Sequence, residues 1–146
     1  SRRKASTAIT RRCTSGSSVR SSLWNSELMC FSTARSVRNS DFAIAALFSE
    51  DAVVADPVDQ PAHRGRDAVR AFFAGAHELA ESMDLHATGP MRAVGSWVAV
   101  PLEAITTIGD MRLKIDIIDV FTFDDDGLIS DMKAYWTASD IRPYEG

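Results

Sequence analysis

The sequence predicts an α+β domain in which helices pack on one face of a curved antiparallel sheet and enclose a pocket. Three observations carry that expectation. Helical periodicity is confined to the stretch between Asp41 and Ser82, and strand-like runs fill the chain after it. The pairs Gly89-Pro90, Gly109-Asp110 and Asp126-Gly127 separate those runs as turns. A length of 146 residues suits one domain with its own core, and 45% hydrophobic with 25% charged residues is the content of an ordinary soluble globular chain. No apolar run approaches the ~20 residues needed to cross a bilayer, so no membrane partner is expected.

The first forty residues are composed differently from the rest. They hold eight Lys or Arg against one acidic residue, Glu27, with eleven serines and both cysteines, Cys13 and Cys30; residues 41–146 hold eight basic against nineteen acidic residues and no cysteine. A disulfide framework is not supported. "SRRKASTAITRRCTSGSSVRSSLW" has neither helical nor strand periodicity, and four readings stay open. It is poor in acid and rich in Arg and Ser, like a transit peptide. It is basic, like a phosphate-binding arm, but lacks the aromatics or motif of a nucleic-acid binder, so no nucleic-acid partner is expected. It is also compatible with a stretch of upstream sequence or with an out-of-frame translation. Residues 1–40 are therefore set apart as an atypical segment (disordered, artefactual or a degraded first helix) and residues 41–146 as the domain.

Along the domain, "SDFAIAALFSEDA" reads as a helix capped by Ser40 or Asp41, with Phe42, Ala45, Ala46 and Phe48 near one face. "AVVAD" is a short strand stopped by Pro57, and "PVDQPAHRG" a loop. "RDAVRAFFAGAHELAES" is the clearest helix: Val69, Phe72, Phe73, Ala76, Leu79 and Ala80 form one apolar stripe. Five strands follow, at "MDLHATG", "MRAVGS", "WVAVPLEAITTI", "MRLKIDIIDVFTF" and "GLISDMKAYW".

Strand alternation puts Ile115, Ile117, Asp119, Phe121 and Phe123 on one face of "KIDIIDVFTFDDDG" and Lys114, Asp116, Ile118, Val120 and Thr122 on the other. Asp119 thus stands among apolar neighbours, where an unpaired charge is costly and the neutral acid is favoured. It is either an inward carboxylate satisfied by a structural donor or a functional acid. Asp56, in "VVADPVDQP", is either an ordinary Asp-Pro turn starter or a general base beside an apolar pocket. "FDDDGLI" lacks the spacing of a calcium loop and suits a hairpin turn. His63, His77 and His86 show no metal-ligand spacing and read as loop or helix-face residues. No nucleophile elbow, phosphate loop or dinucleotide fingerprint is present.

"ALFSEDAVVADPVDQPAHRGRDAVRAFF", "TGPMRA" and "IDIIDVFTFDDDGLISDMKAYW" closely resemble the bacterial steroid Δ5-isomerases, the ketosteroid isomerases of the nuclear-transport-factor-2-like, or SnoaL-like, superfamily. The likeness runs from about Asp41 to Ile141. It implies a cone-shaped α+β fold, a small apolar ketone or steroid substrate, no metal or organic cofactor, a homodimer formed through the sheet and a cytoplasmic location. By position it makes Asp56 the general base and Asp119 the protonated oxyanion donor; that family is the established example of a carboxylic acid kept neutral by an apolar site. It places Phe72, Val100, Leu102 and Trp136 on the substrate-binding walls, although core and pocket walls share one composition.

The chain departs from the family at one donor. The family's second oxyanion donor is a tyrosine on the first helix, and its spacing from Asp56 lands on Ser32; no tyrosine precedes Tyr135. Phe73 also stands where many members carry a supporting tyrosine. The same cone hosts other activities, so another SnoaL-like enzyme acting on an apolar carbonyl or polyketide, or a non-catalytic binder of apolar ligands, remains open.

Overall fold

A computed structural model describes residues 44–146. The Ser/Arg-rich segment, both cysteines, Ser32 and the expected helix start at Ser40, Asp41 and Phe42 lie outside the described residues.

Ile44 and Ala45 are helical; the chain then turns, with the Leu47 N–H bonded to the Ile44 carbonyl at 3.0 Å, into strand β1, Phe48–Ala55. The helix expected through Ala52 is thus corrected, because Phe48 onward is strand. Ala45, Ala46 and Phe48 carry helical spacing, but Phe48 pairs with Ile129 and Val53 with Asp131, and such distant partners override local preference. The loop expected before Gly65 also holds a short strand, β2, His63–Arg64, which pairs antiparallel with Val53 and Val54.

Gly65 turns that strand into helix α1, Arg66–Leu79. Its N–H bonds to the Ala52 carbonyl at 2.8 Å and its carbonyl accepts the Val69 N–H at 3.0 Å, at a φ of 88° that favours glycine. The helix buries Val69 and Phe73, the Phe73 ring lying 5.7 Å from that of Phe48. Arg66 donates two hydrogen bonds, of 3.0 and 2.8 Å, to the Phe48 carbonyl and so ties the helix start to the start of β1. The predicted apolar stripe is only partly spent on the core. Phe72, Gly75, Ala76 and Leu79 line an open groove of about 720 Å³, and Leu79 is exposed.

The five expected strands follow: β3, Ser82–Ala87; β4, Arg92–Val94; β5, Trp97–Ile108; β6, Met111–Phe123; and β7, Ile129–Tyr135; after a short 3-10 turn comes a strand the sequence did not predict, β8, Ile141–Pro143. The strand order is β2-β1-β7-β6-β5-β3, with β4 paired to β5 and β8 to β6. Strands β1 and β7 run parallel, so the sheet is mixed rather than wholly antiparallel. The hairpin β5–β6 pairs along its whole length, from Trp97 opposite Thr122 to Ile108 opposite Met111. At the other end of β6, Asp124 accepts backbone N–H bonds from Asp126 and Leu128, making "FDDDG" the expected hairpin turn.

The register defines two faces. Val98, Val100, Leu102 and Ala104 of β5 stand opposite Phe121, Asp119, Ile117 and Ile115 of β6; Met132 and Ala134 of β7 and Val54 of β1 continue this inner face toward the sheet edge. Most of these side chains are buried. The outer face exposes Trp97, Ile118 and Tyr135.

Candidate active site

Asp119 sits in the middle of the inner face. Its register partners are Val100 on β5 and Ala134 on β7, both buried, and only 4% of Asp119 remains accessible. Its Oδ1 is buried and has no hydrogen-bond partner among the described residues, as an oxygen left to meet a ligand would. Burial, and secondly the negative charge of Asp56, push the Asp119 carboxyl up to about 8, so that it holds its proton at neutral pH.

Asp56 directly follows β1, whose last residue, Ala55, pairs with Lys133 on β7. It extends the face carrying Val54 and lies level with Ala134, whose carbonyl accepts the Val58 N–H at 2.9 Å. Asp56 and Asp119 therefore flank Ala134, two strand spacings or roughly 10 Å apart at the backbone. Trp136 donates its indole N–H to Asp56 Oδ1 at 2.6 Å, across a sequence separation of 80 residues. Burial raises the Asp56 carboxyl; the Trp136 hydrogen bond and the charge of His63 oppose it. The two groups are consequently unequal. Asp56 ionises first, and its charge then holds the proton on Asp119.

The four residues expected on the walls fall on or beside three elements. Val100 and Leu102 are buried on β5, opposite Asp119 and Ile117. Phe72 lies on α1, with its ring 4.5 Å from His63 and 5.2 Å from Phe73, and it also lines the groove. Trp136 follows β7 and donates its indole N–H to Asp56. The 720 Å³ groove includes neither carboxylate; Phe72 joins it to the Asp56 side of the site. Among the described residues, no group of three or more His, Cys, Asp or Glu comes together as for a metal ion.

Sequence reasoning missed His63, read as a loop residue. It is half-buried in β2, opposite Val54, and stacked on Phe72. An aromatic residue nine positions later on the following helix is no specific signal, and only the pairing of β2 with β1 brings the imidazole toward Asp56. The Trp136 bond was equally invisible, because it joins the ends of two strands distant in sequence.

The chain is 38% identical over 102 residues to a steroid Δ-isomerase of Nocardioides simplex, covering 70% of this chain and 80% of that protein. Among solved structures, it is similar to SalBIII, an epoxide hydrolase/cyclase-like enzyme with a role in pyran ring formation in the polyether salinomycin. That similarity has a TM-score of 0.71, 29% identity and coverage of 81% of this chain and 92% of the other. The structure of RV0760c from Mycobacterium tuberculosis shares the fold, at a TM-score of 0.74 and 16% identity over 88% of this chain and 100% of its own. Among the described residues no helix is long and apolar enough to cross a membrane. Residues 32–132 match the SnoaL-like domain, and with that match added to the steroid-isomerase likeness the chain belongs to the SnoaL-like family of the nuclear-transport-factor-2-like fold.

Proposed function

We propose that the chain is a steroid Δ5-isomerase-type enzyme that moves a C=C bond into conjugation with a 3-oxo group. Asp56 takes a proton from the carbon between the carbonyl and the double bond. Protonated Asp119 donates a hydrogen bond to the dienolate oxygen, and Asp56 returns the proton two carbons further along. The observation that carries this reading is the buried, unpartnered Asp119 Oδ1 on the same face as an Asp56 that ionises first. Val100, Leu102 and Phe72 supply apolar walls for a ring system, and Trp136 holds the base.

The family's second oxyanion donor falls on Ser32, outside the described residues. Its loss lowers the expected rate by ~10²–10³. A homodimer through the outer face, where Trp97, Ile118 and Tyr135 are exposed, and a cytoplasmic location belong to the same proposal, as does the division into residues 1–40 and 41–146.

The likeness to SalBIII favours a second reading: another SnoaL-like enzyme on an apolar carbonyl or polyketide, using the same unequal pair of carboxyls as acid and base. A non-catalytic apolar-ligand binder is the third. Enone absorbance after adding 5-androstene-3,17-dione to the protein and to its Asp56→Asn variant separates them. A rise that the variant abolishes is the expected result. Steroid binding without any rise would shift the assignment to the other readings.

A further inference from the structure

The histidine beside the base is the feature the proposed reaction does not use. Strand β2 carries His63 opposite Val54, two residues before Asp56 on the same face of β1. The imidazole plane is fixed by its stack on Phe72, at 4.5 Å and 30°. We propose that His63 is a positioning residue for Asp56, its imidazole held by β2 and by the Phe72 ring where a positive charge on it favours the carboxylate form that accepts a proton. The inference rests on Asp56 being the base of the proposed reaction.

The surroundings of Asp56 support this assignment. Burial favours its protonated form, and a base that is protonated cannot act. Strand β7 leads to Trp136, whose N–H is a neutral donor already bonded to Oδ1; β6 brings Asp119, which is neutral while Asp56 titrates; and α1 brings Phe72, which carries no charge. Arg64 follows His63 on β2 and alternates to the other side, and Arg66 is committed to the Phe48 carbonyl. Among the described residues, positive charge on His63 acts with the Trp136 hydrogen bond to lower the Asp56 carboxyl against burial. In a half-buried site screened by solvent, the effect on the fraction ionised is about two- to fivefold.

The test follows the Asp56 carboxyl directly, by carbon-13 NMR titration of aspartate-labelled full-length protein, with the signal assigned through Asp56→Asn. His63→Phe keeps a ring on Phe72 but removes the charge, whereas His63→Lys provides a cation across the range. The expected result is an Asp56 midpoint that moves to higher pH in His63→Phe and returns in His63→Lys. An unchanged midpoint in His63→Phe overturns the proposal, and so does a shift that lysine fails to reverse, which would assign the effect to packing. Because the titration needs no turnover, absence of steroid isomerisation would defeat the proposed reaction while leaving this result standing. Where turnover is seen, the acid limb of kcat/KM should move with the NMR midpoint.

Discussion

Asp116 and Asp119 lie three residues apart on β6, and their side chains meet opposite worlds. Asp116 faces outward, remains 46% accessible and pairs with Arg142 of β8. Asp119 faces inward among Val100, Ala134 and Phe121, is 4% accessible and has an oxygen with no partner among the described residues. One residue type on one strand thus serves as a solvated anion and as a neutral acid. The difference is made by the two-residue period of the strand and by what the neighbouring strands place on each face. The role proposed for Asp119 comes from the family resemblance; the register explains how an ordinary aspartate comes to be buried and neutral.

The comparison is tested most severely by substituting both residues. Asp119→Ala removes the donor for the dienolate oxygen and should lower kcat by about 10²–10³. Asp116→Ala removes a partly solvated ion pair and should leave steady-state isomerisation within about twofold of the parent. Equal losses from the two substitutions would break the distinction between the faces. The proposed base, Asp56, extends the inner face too, and Asp56→Asn should cost about 10²–10⁴ in rate.

The same contrast predicts a pH-dependent stability. The Asp119 carboxyl is raised from 3.8 to about 8, so between those values the folded chain holds a proton that the unfolded chain has lost. Stability should therefore be greatest at the acid end of this window and fall as pH rises through it, by on the order of 1.4 kcal/mol per pH unit from this group. Asp56 is raised as well and adds a slope of the same sign at the acid end. Urea unfolding from pH 5 to 8 checks the prediction. Asp119→Asn should flatten the dependence and become the more stable protein at pH 8, while Asp116→Asn should retain the parent's slope. If activity depends on both groups, it should fall on the alkaline side as Asp119 ionises and on the acid side as Asp56 is protonated.

The inner and outer faces were also unequally legible in the sequence. Strands β5 and β6 follow their predicted bounds because each is a long alternating run, closed by Gly109-Asp110, and that alternation separates Asp119 from Asp116. What local pattern does not carry is pairing at a distance. Phe48 to Asp51 read as helix until Ile129 and Asp131 supply strand partners, and the parallel β1–β7 contact turns an expected antiparallel sheet into a mixed one. Val100 and Leu102 are expected on the walls by resemblance alone; the register sets them opposite Asp119 and Ile117, a pairing that local pattern does not carry. Trp136 was read as a wall, yet its N–H reaches Asp56 because parallel strands bring both carboxyl-terminal ends to one side of the sheet.

A smaller effect on the inner face comes from Trp136→Phe, which keeps an aromatic ring but deletes the donor to Asp56 Oδ1. The bond lowers the Asp56 carboxyl against burial, so its loss should move the acid limb of the pH–rate profile upward. On the acid limb the rate should fall by up to about tenfold, the scale of a hydrogen bond to a charged group. Recovery of the parent rate at higher pH would identify ionisation of the base as the cause, whereas a pH-independent loss would assign Trp136 to substrate contact instead.

The smallest effect belongs to the outer face. Arg142→Ala breaks the pair with Asp116, whose two side chains are 56% and 46% accessible, and should cost about 0–1 kcal/mol of unfolding free energy, less at high salt. That low figure depends on water reaching the pair. Ile118, exposed on the same face of β6, belongs to the surface proposed to meet a second copy, and a dimer would exclude solvent from part of it. The measurement should therefore be made across protein concentration. A small cost at every concentration keeps Asp116 as the solvated counterpart of Asp119. A cost that grows as the chain associates would show that assembly removes the contrast between the two aspartates, one buried by folding and the other by a partner.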